Sequence, residues 1–217
     1  MTTRRMMMAA LSGLSAAGLL TVSLLARQQP GAPAMSHDMP MPAAGMSTMT
    51  TAQKIANAME AAPATVAARA TILDWPAKEG AAPAVLRTGT NGWSCFPDMP
   101  DSKGSDPMCL DATWMKWMEA YLAHKKPALT HIGIGYMMAP GGGWASNTDP
   151  FAMQETAANH WGHHAPHMMI VAPNTASLAG MSTDPANGGP YVMWSGTPYA
   201  HIMAPTMAGA MMGSMAR

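Results

Sequence analysis

The chain has 217 residues, enough for one ordinary domain together with terminal segments. Its formal net charge is zero and only 11% of its residues are charged. No basic cluster alternates with aromatic residues, which argues against nucleic acid as a partner. Methionine is the outlier, with 26 residues against two phenylalanines and four tyrosines. It is both a flexible core residue and a soft thioether ligand.

The N-terminal segment has the pattern of an export signal. Arg4 and Arg5 precede an uncharged run over residues 6–26, and Ala-Pro-Ala at residues 32–34 offers a small-residue cleavage site. We predict that residues 1–34 are a signal peptide or an N-terminal anchor, and that the protein is periplasmic or secreted. If the segment is not cleaved, residues 6–26 are long enough to anchor it in a membrane, the only membrane contact we expect.

The rest of the chain divides by composition. Residues 35–49 are rich in Met and His and lack apolar periodicity, which predicts a flexible linker. Residues 50–205 carry the periodic segments of a single domain. Residues 206–217, rich in Gly, Ala and Met, predict a disordered tail.

Cys95 and Cys109 are the only two cysteines. In an oxidising compartment, two cysteines in one domain usually pair, so we predict a disulfide that closes a turn-rich loop. The alternative, a pair of metal-binding thiolates, lacks the close spacing of common thiolate sites.

Two helices have clear sequence signals. Thr50 and Gln53 form a capping box before a short helix that ends at Pro63. Asp111 is a good N-cap for a second helix, which we expect Pro127 to stop. Apolar residues of this second helix recur on one face and predict a stripe packed on a sheet, namely Trp114, Trp117, Met118, Tyr121 and Leu122. Asp149 followed by Pro150 predicts another short helix.

Strands are predicted wherever apolar residues alternate with others. The predicted ranges are 66–72, 85–90, 132–138, 167–172, 191–194 and 199–203. Gly133 and Gly135 share one face of the third range, which indicates that a ring or another backbone approaches that face closely. Because helices and strands do not alternate regularly, we expect an α+β fold. It would have a mostly antiparallel sheet of five or six strands, one face covered by an amphipathic helix, one disulfide and long loops.

An ordered set of stretches carries a family resemblance: GTNGWSCFPD, DPMCLD, ASNTDPFA, PHMMIV and GTPYAHIM. Over about residues 60–205, the chain resembles a group of exported bacterial proteins of uncharacterised function. The resemblance implies that Cys95, Cys109, His167 and His201 belong to the shared pattern. It supports export and the domain boundaries, and it implies no reaction.

The candidate chemistry begins with the repeated pattern His-x-Met, which occurs at His37-Met39, His167-Met169 and His201-Met203. On a strand, residues two apart point to the same face. If the last two pairs lie on neighbouring strands, they predict a folded His₂Met₂ site, and imidazole with thioether is a ligand set that suits Cu(I). The alternative is that these are core residues that only pack.

Two further tracts have the composition of metal ligands. His160, His163 and His164 lie just before His167 and suit copper, zinc or nickel, or they are a solvated loop. In the linker, another set resembles a copper-handling tract, or is low-complexity sequence without a role: Met35, His37, Met39 and Met41.

Enzyme signatures are missing from the sequence. It contains no G-x-S-x-G, Walker A, H-E-x-x-H or dinucleotide pattern. We therefore predict an exported protein that binds a soft transition metal, with copper as the candidate cofactor; the missing signatures favour a protein without enzymatic activity and leave that question open. One alternative is a small-molecule-binding or hydrolytic domain that uses His167, His201 and Tyr199. Another is a non-catalytic structural protein of the envelope. Protein partners are not predicted.

Overall fold

The computed structural model describes residues 49–78, 80–100 and 102–206. Residues 1–48 and the tail from 207 therefore lie outside the described part, including the predicted signal segment and all of the predicted linker except its last residue. The described strands are β1 Thr71–Leu73, β2 Val85–Arg87, β3 Ser94–Phe96, β4 Met108–Leu110, β5 Gly133–Met137, β6 Gly143–Ser146, β7 Trp161–His164, β8 His167–Val171, β9 Tyr191–Met193 and β10 His201–Pro205.

The centre of the domain is a mixed eight-stranded sheet in the order β2-β1-β3-β4-β5-β8-β10-β9. Its strand pairs are antiparallel except β1 with β3. The expectation of five or six strands was wrong, because β3 and β4 were missed. Each has three residues, too few to show an alternating pattern.

The disulfide prediction is confirmed. Cys95 and Cys109 are joined and lie directly opposite each other on β3 and β4. The segment between them is a connection between two paired strands, not a free loop, and the buried disulfide packs against Ala58 of the first helix.

Helices cover both faces of the sheet, not one as expected. Helix α1, Thr51–Glu60, and the short α2, Ala64–Ala67, pack on the face that carries the disulfide. Helix α3, Ala112–Leu122, packs on the opposite face, where Phe96 and Leu110 meet its tryptophans. Successive strand residues point to opposite faces, so each of β3 and β4 contributes to both layers.

The predicted strand over 66–72 was wrong over residues 66–70, where α2 ends and a turn leads into β1. Pro63 sets the N-terminal end of this helix. Alternating alanines are equally compatible with a helical turn, because alanine is the strongest helix former. The short helix predicted at Asp149 is a turn, in which the Asp149 carboxylate accepts a hydrogen bond from the amide of Phe151 at 2.9 Å. The predicted caps of α1 and α3 are both present.

The close approach predicted at Gly133 and Gly135 is confirmed. A Cβ added at Gly133 would lie 2.9 Å from the amide nitrogen of Trp114, and one at Gly135 would lie 3.3 Å from the Trp114 ring nitrogen. Asp111 holds the start of α3 against β5, because its Oδ1 caps the helix while its Oδ2 accepts from the Ile134 amide at 2.7 Å. These contacts fix α3 above the sheet face that carries the candidate site.

Candidate soft-metal site

The two His-x-Met pairs of the domain lie on neighbouring antiparallel strands, β8 and β10. Met169 is directly opposite Met203, and His167 and His201 each lie two residues before the methionine of their own strand. All four side chains are buried on the face that α3 covers, with exposed fractions of 2–6%. The structure therefore places the four predicted ligands on one face of the sheet.

The two strands that flank the β8–β10 pair, β5 and β9, add two methionines that the sequence analysis did not single out. Met137 on β5 lies directly opposite His167, and Met193 on β9 lies directly opposite His201. Directly opposite residues project to the same face, with Cβ atoms about 5 Å apart. We call the resulting set the His/Met patch: Met137, His167, Met169, Met193, His201 and Met203.

Both imidazoles of the His/Met patch are held in the same tautomer. Nδ1 of His167 lies 2.6 Å from the carbonyl oxygen of Ala165, and Nδ1 of His201 lies 3.0 Å from that of Tyr199. A carbonyl only accepts, so each Nδ1 carries the proton and each Nε2 keeps its lone pair. This is the arrangement in which a histidine coordinates a metal through Nε2 while a neighbour orients the ring.

Nε2 of His167 is buried and has no hydrogen-bond partner. Burial lowers the pKa of His167 to about 3 and that of His201 to about 4, since the charged form would lose its hydration. Both rings are therefore neutral at pH 7. A neutral imidazole is the form that binds a metal, and here it requires no proton release.

The two imidazoles lie at different positions along the strand pair. Each ring is hydrogen-bonded to the carbonyl of the residue two positions earlier in its own strand segment. Along the antiparallel pair, His167 and His201 are offset by four positions, roughly 14 Å of strand. The opposed methionines lie between them.

His201 lies among three tryptophan rings. Its ring centroid is 5.4 Å from that of Trp114, 5.7 Å from that of Trp117 and 5.0 Å from that of Trp194, each in an edge orientation. Trp194 adopts a φ of +55°, which is unusual for a bulky residue. Hydrogen bonds from its amide to Asn147 and from its ring nitrogen to Ser146 hold it there.

The histidine tract is divided between environments. His164 is buried on β7, where its Nδ1 accepts from the hydroxyl of Tyr191 at 2.7 Å and its Nε2 donates to the carbonyl of Ala145 at 3.3 Å. Tyr191 lies opposite Met203, so this pair borders the His/Met patch. His160 and His163 are exposed. The tract forms part of a hairpin of β6 and β7 instead of a loop.

Among the described residues, His, Cys, Asp and Glu side chains nowhere gather in a group of three that could hold a metal. A metal site in this part of the chain would therefore need ligands of another kind, such as thioethers. The linker tract of Met35, His37, Met39 and Met41 lies outside the described residues.

The alternative use of Tyr199 with the two histidines requires a cleft. The Tyr199 ring is buried edge-on against Trp117, Tyr121 and Phe151. A nearby depression, lined in part by Trp117 and Ala200, has a volume of about 50 Å³. That is room for a few water molecules, far below the roughly 300 Å³ of a small-molecule pocket.

Comparisons with known proteins give no family for this chain. No family model, no curated protein and no solved structure matches it. Within the described residues, no helix has the length and apolar character needed to cross a bilayer.

Proposed function

We propose that this is an exported protein whose domain binds a soft monovalent metal ion, Cu(I), through the His/Met patch. The observation that carries the proposal is the Nε2 atom of His167, which is buried, holds a lone pair and has no partner in the protein. Met137 lies directly opposite His167, and Met169 lies two residues further along the same strand as His167. Both carry a thioether.

Leaving a buried hydrogen-bonding atom unpaired costs about 1–3 kcal/mol. A metal ion bound at Nε2 of His167 would remove this cost. Thioethers and imidazoles bind Cu(I) without deprotonation, and the patch offers no carboxylate for a hard cation such as Mg²⁺ or Ca²⁺. Zinc typically takes four nitrogen, thiolate or carboxylate ligands, and no such group of three or more exists among the described residues. The ligand set therefore favours Cu(I).

The test is thermal unfolding of the full chain with and without Ag(I), a Cu(I) surrogate that does not change oxidation state. Both cysteines are in the disulfide, so Ag(I) finds no free thiol. An ion that binds only the folded state stabilises it by about 2.7 kcal/mol at one hundred times Kd, which raises Tm by about 5–10 °C.

The diagnostic variant replaces the central pair, Met169→Leu with Met203→Leu. Leucine keeps the volume of methionine and removes the thioether, so the fold should remain while the Ag(I)-dependent rise in Tm is lost. Met153→Leu is the matched control, because Met153 is 68% exposed and lies outside the patch. Absence of any rise in the wild-type protein would refute the proposal, as would an undiminished rise in the double variant.

A second comparison separates the domain from the linker. Ions held only by residues 35–49 do not require a folded domain, so they would not raise Tm. Deletion of residues 35–49 should therefore leave the Ag(I)-dependent rise unchanged. If the deletion abolishes it, the ion requires ligands from the linker tract as well as the folded domain, and the His/Met patch alone does not bind it.

A further inference from the structure

The His/Met patch has an internal twofold symmetry. An antiparallel pair of strands is related by a local twofold axis, and here the axis passes between Met169 and Met203, which are directly opposite. The same rotation exchanges His167 with His201. It also exchanges the flanking strands β5 and β9, each of which places a methionine directly opposite one of the two histidines.

The patch therefore contains two copies of one arrangement. Half-site 1 consists of His167, Met137 opposite it and Met169 two residues along its strand. Half-site 2 consists of His201, Met193 opposite it and Met203 two residues along its strand. Each has one imidazole whose Nδ1–H is donated to a carbonyl and whose Nε2 lone pair is free to coordinate a metal.

We infer that the patch binds two soft monovalent ions, one in each half-site, instead of one ion shared by all four predicted ligands. This inference rests on the proposed function. Its basis is that His167 and His201 are offset by four positions along the strand pair, and that each has a methionine directly opposite it and another two residues along its own strand. Each half-site has one imidazole and two thioether side chains at neighbouring positions on one face of the sheet, a set of three soft ligands for an ion of low coordination number.

The two half-sites differ in their surroundings, which makes them distinguishable. Half-site 2 lies within 5.0–5.7 Å, ring centre to ring centre, of three of the seven tryptophans, measured from His201. An ion bound there should change tryptophan fluorescence. Half-site 1 meets a single tryptophan, because the ring nitrogen of Trp114 donates to the carbonyl oxygen of Met169 at 3.2 Å, and no tryptophan ring contacts His167 among the ring contacts of the described residues. Occupation of half-site 1 should therefore change the fluorescence less than occupation of half-site 2.

The experiment counts Ag(I) ions bound to the full chain by native mass spectrometry while tryptophan fluorescence is followed. Four proteins are compared with the wild type: Met137→Leu, Met193→Leu, the double variant and the exposed control Met153→Leu. Because every protein keeps the linker, ions held outside the domain cancel in the differences. Far-ultraviolet circular dichroism confirms that each variant is folded.

We expect each single variant to lose one Ag(I) per chain and the double variant to lose two. Met193→Leu should lose more of the fluorescence change than Met137→Leu. If the double variant loses a single ion, or both single variants lose the same fluorescence change, the patch holds one shared ion and this inference fails while the proposed function stands. If no variant differs from the control and Ag(I) does not raise Tm, the proposed function itself fails.

Discussion

Substituting Gly133 by alanine tests whether α3 is held as close to the sheet as the structure shows. A Cβ at this position would lie 2.9 Å from the amide nitrogen of Trp114, 2.9 Å from Cβ of Thr113 and 2.8 Å from a methyl group of Val171. Two of these three atoms belong to the first turn of α3. That turn cannot withdraw without stretching the hydrogen bond that ties Asp111 to Ile134.

The magnitude follows from two opposing effects. Overpacking of this kind costs about 1–3 kcal/mol, and the upper end applies because a backbone atom must move. Alanine in place of glycine within a strand returns about 0.5–1 kcal/mol through reduced freedom of the unfolded chain. The net loss in the free energy of unfolding should therefore be about 2 kcal/mol.

Urea unfolding followed by tryptophan fluorescence measures this loss. With a slope of about 2 kcal/mol per molar urea, the midpoint of Gly133→Ala should fall by about 1 M. Gly162→Ala is the control, because it also lies in a strand and an added Cβ would meet nothing within 4 Å. A midpoint for Gly133→Ala equal to or above that of Gly162→Ala would show that α3 is not packed as described.

Three further predictions concern the same domain. The pKa values of His167 and His201, about 3 and about 4, lie below the unfolded value of about 6.5. Below about pH 6.5 the unfolded chain therefore binds more protons than the folded chain. The free energy of unfolding is highest above that pH and falls as the pH is lowered below it. Urea unfolding of the metal-free protein between pH 6 and pH 4.5 should show a loss approaching about 3 kcal/mol per pH unit, and a pH-independent midpoint would contradict the burial of both rings. Replacing both Cys95 and Cys109 by alanine should cost about 3 kcal/mol in the same assay, and an unchanged midpoint would mean the disulfide adds nothing. Asp111→Ala removes a helix cap and leaves the Ile134 amide unpaired, so we expect a loss of about 2–4 kcal/mol; a loss below about 1 kcal/mol would show that the link to β5 is dispensable.

Much of the local structure was predictable from the sequence. Thr50 and Asp111 cap α1 and α3 as predicted, because a capping side chain acts on amides only two or three residues away. The strands β5, β8, β9 and β10 lie within or close to their predicted ranges, since alternation over four or more residues is a local signal. Where the pattern was carried by alanines, at residues 66–70, the prediction failed.

The candidate site was predictable only in part. The sequence singled out His167, Met169, His201 and Met203, because residues that are two positions apart on a strand lie on the same face, whichever strand is the neighbour. It gave no reason to choose Met137 or Met193 among 26 methionines. Nor did it show that His164 turns inward to Tyr191 while its neighbour His163 stays exposed.

The sequence by itself determined which residues could form helices, strands and a disulfide, and which side chains carry soft donor atoms. The tertiary structure decided that β8 and β10 are neighbours, that Met169 lies opposite Met203, and that each histidine lies opposite a methionine of a flanking strand, β5 or β9. The reason is physical. A strand's own residues fix which face each side chain takes, but strand order and register are set by hydrogen bonds and packing between segments far apart in the chain.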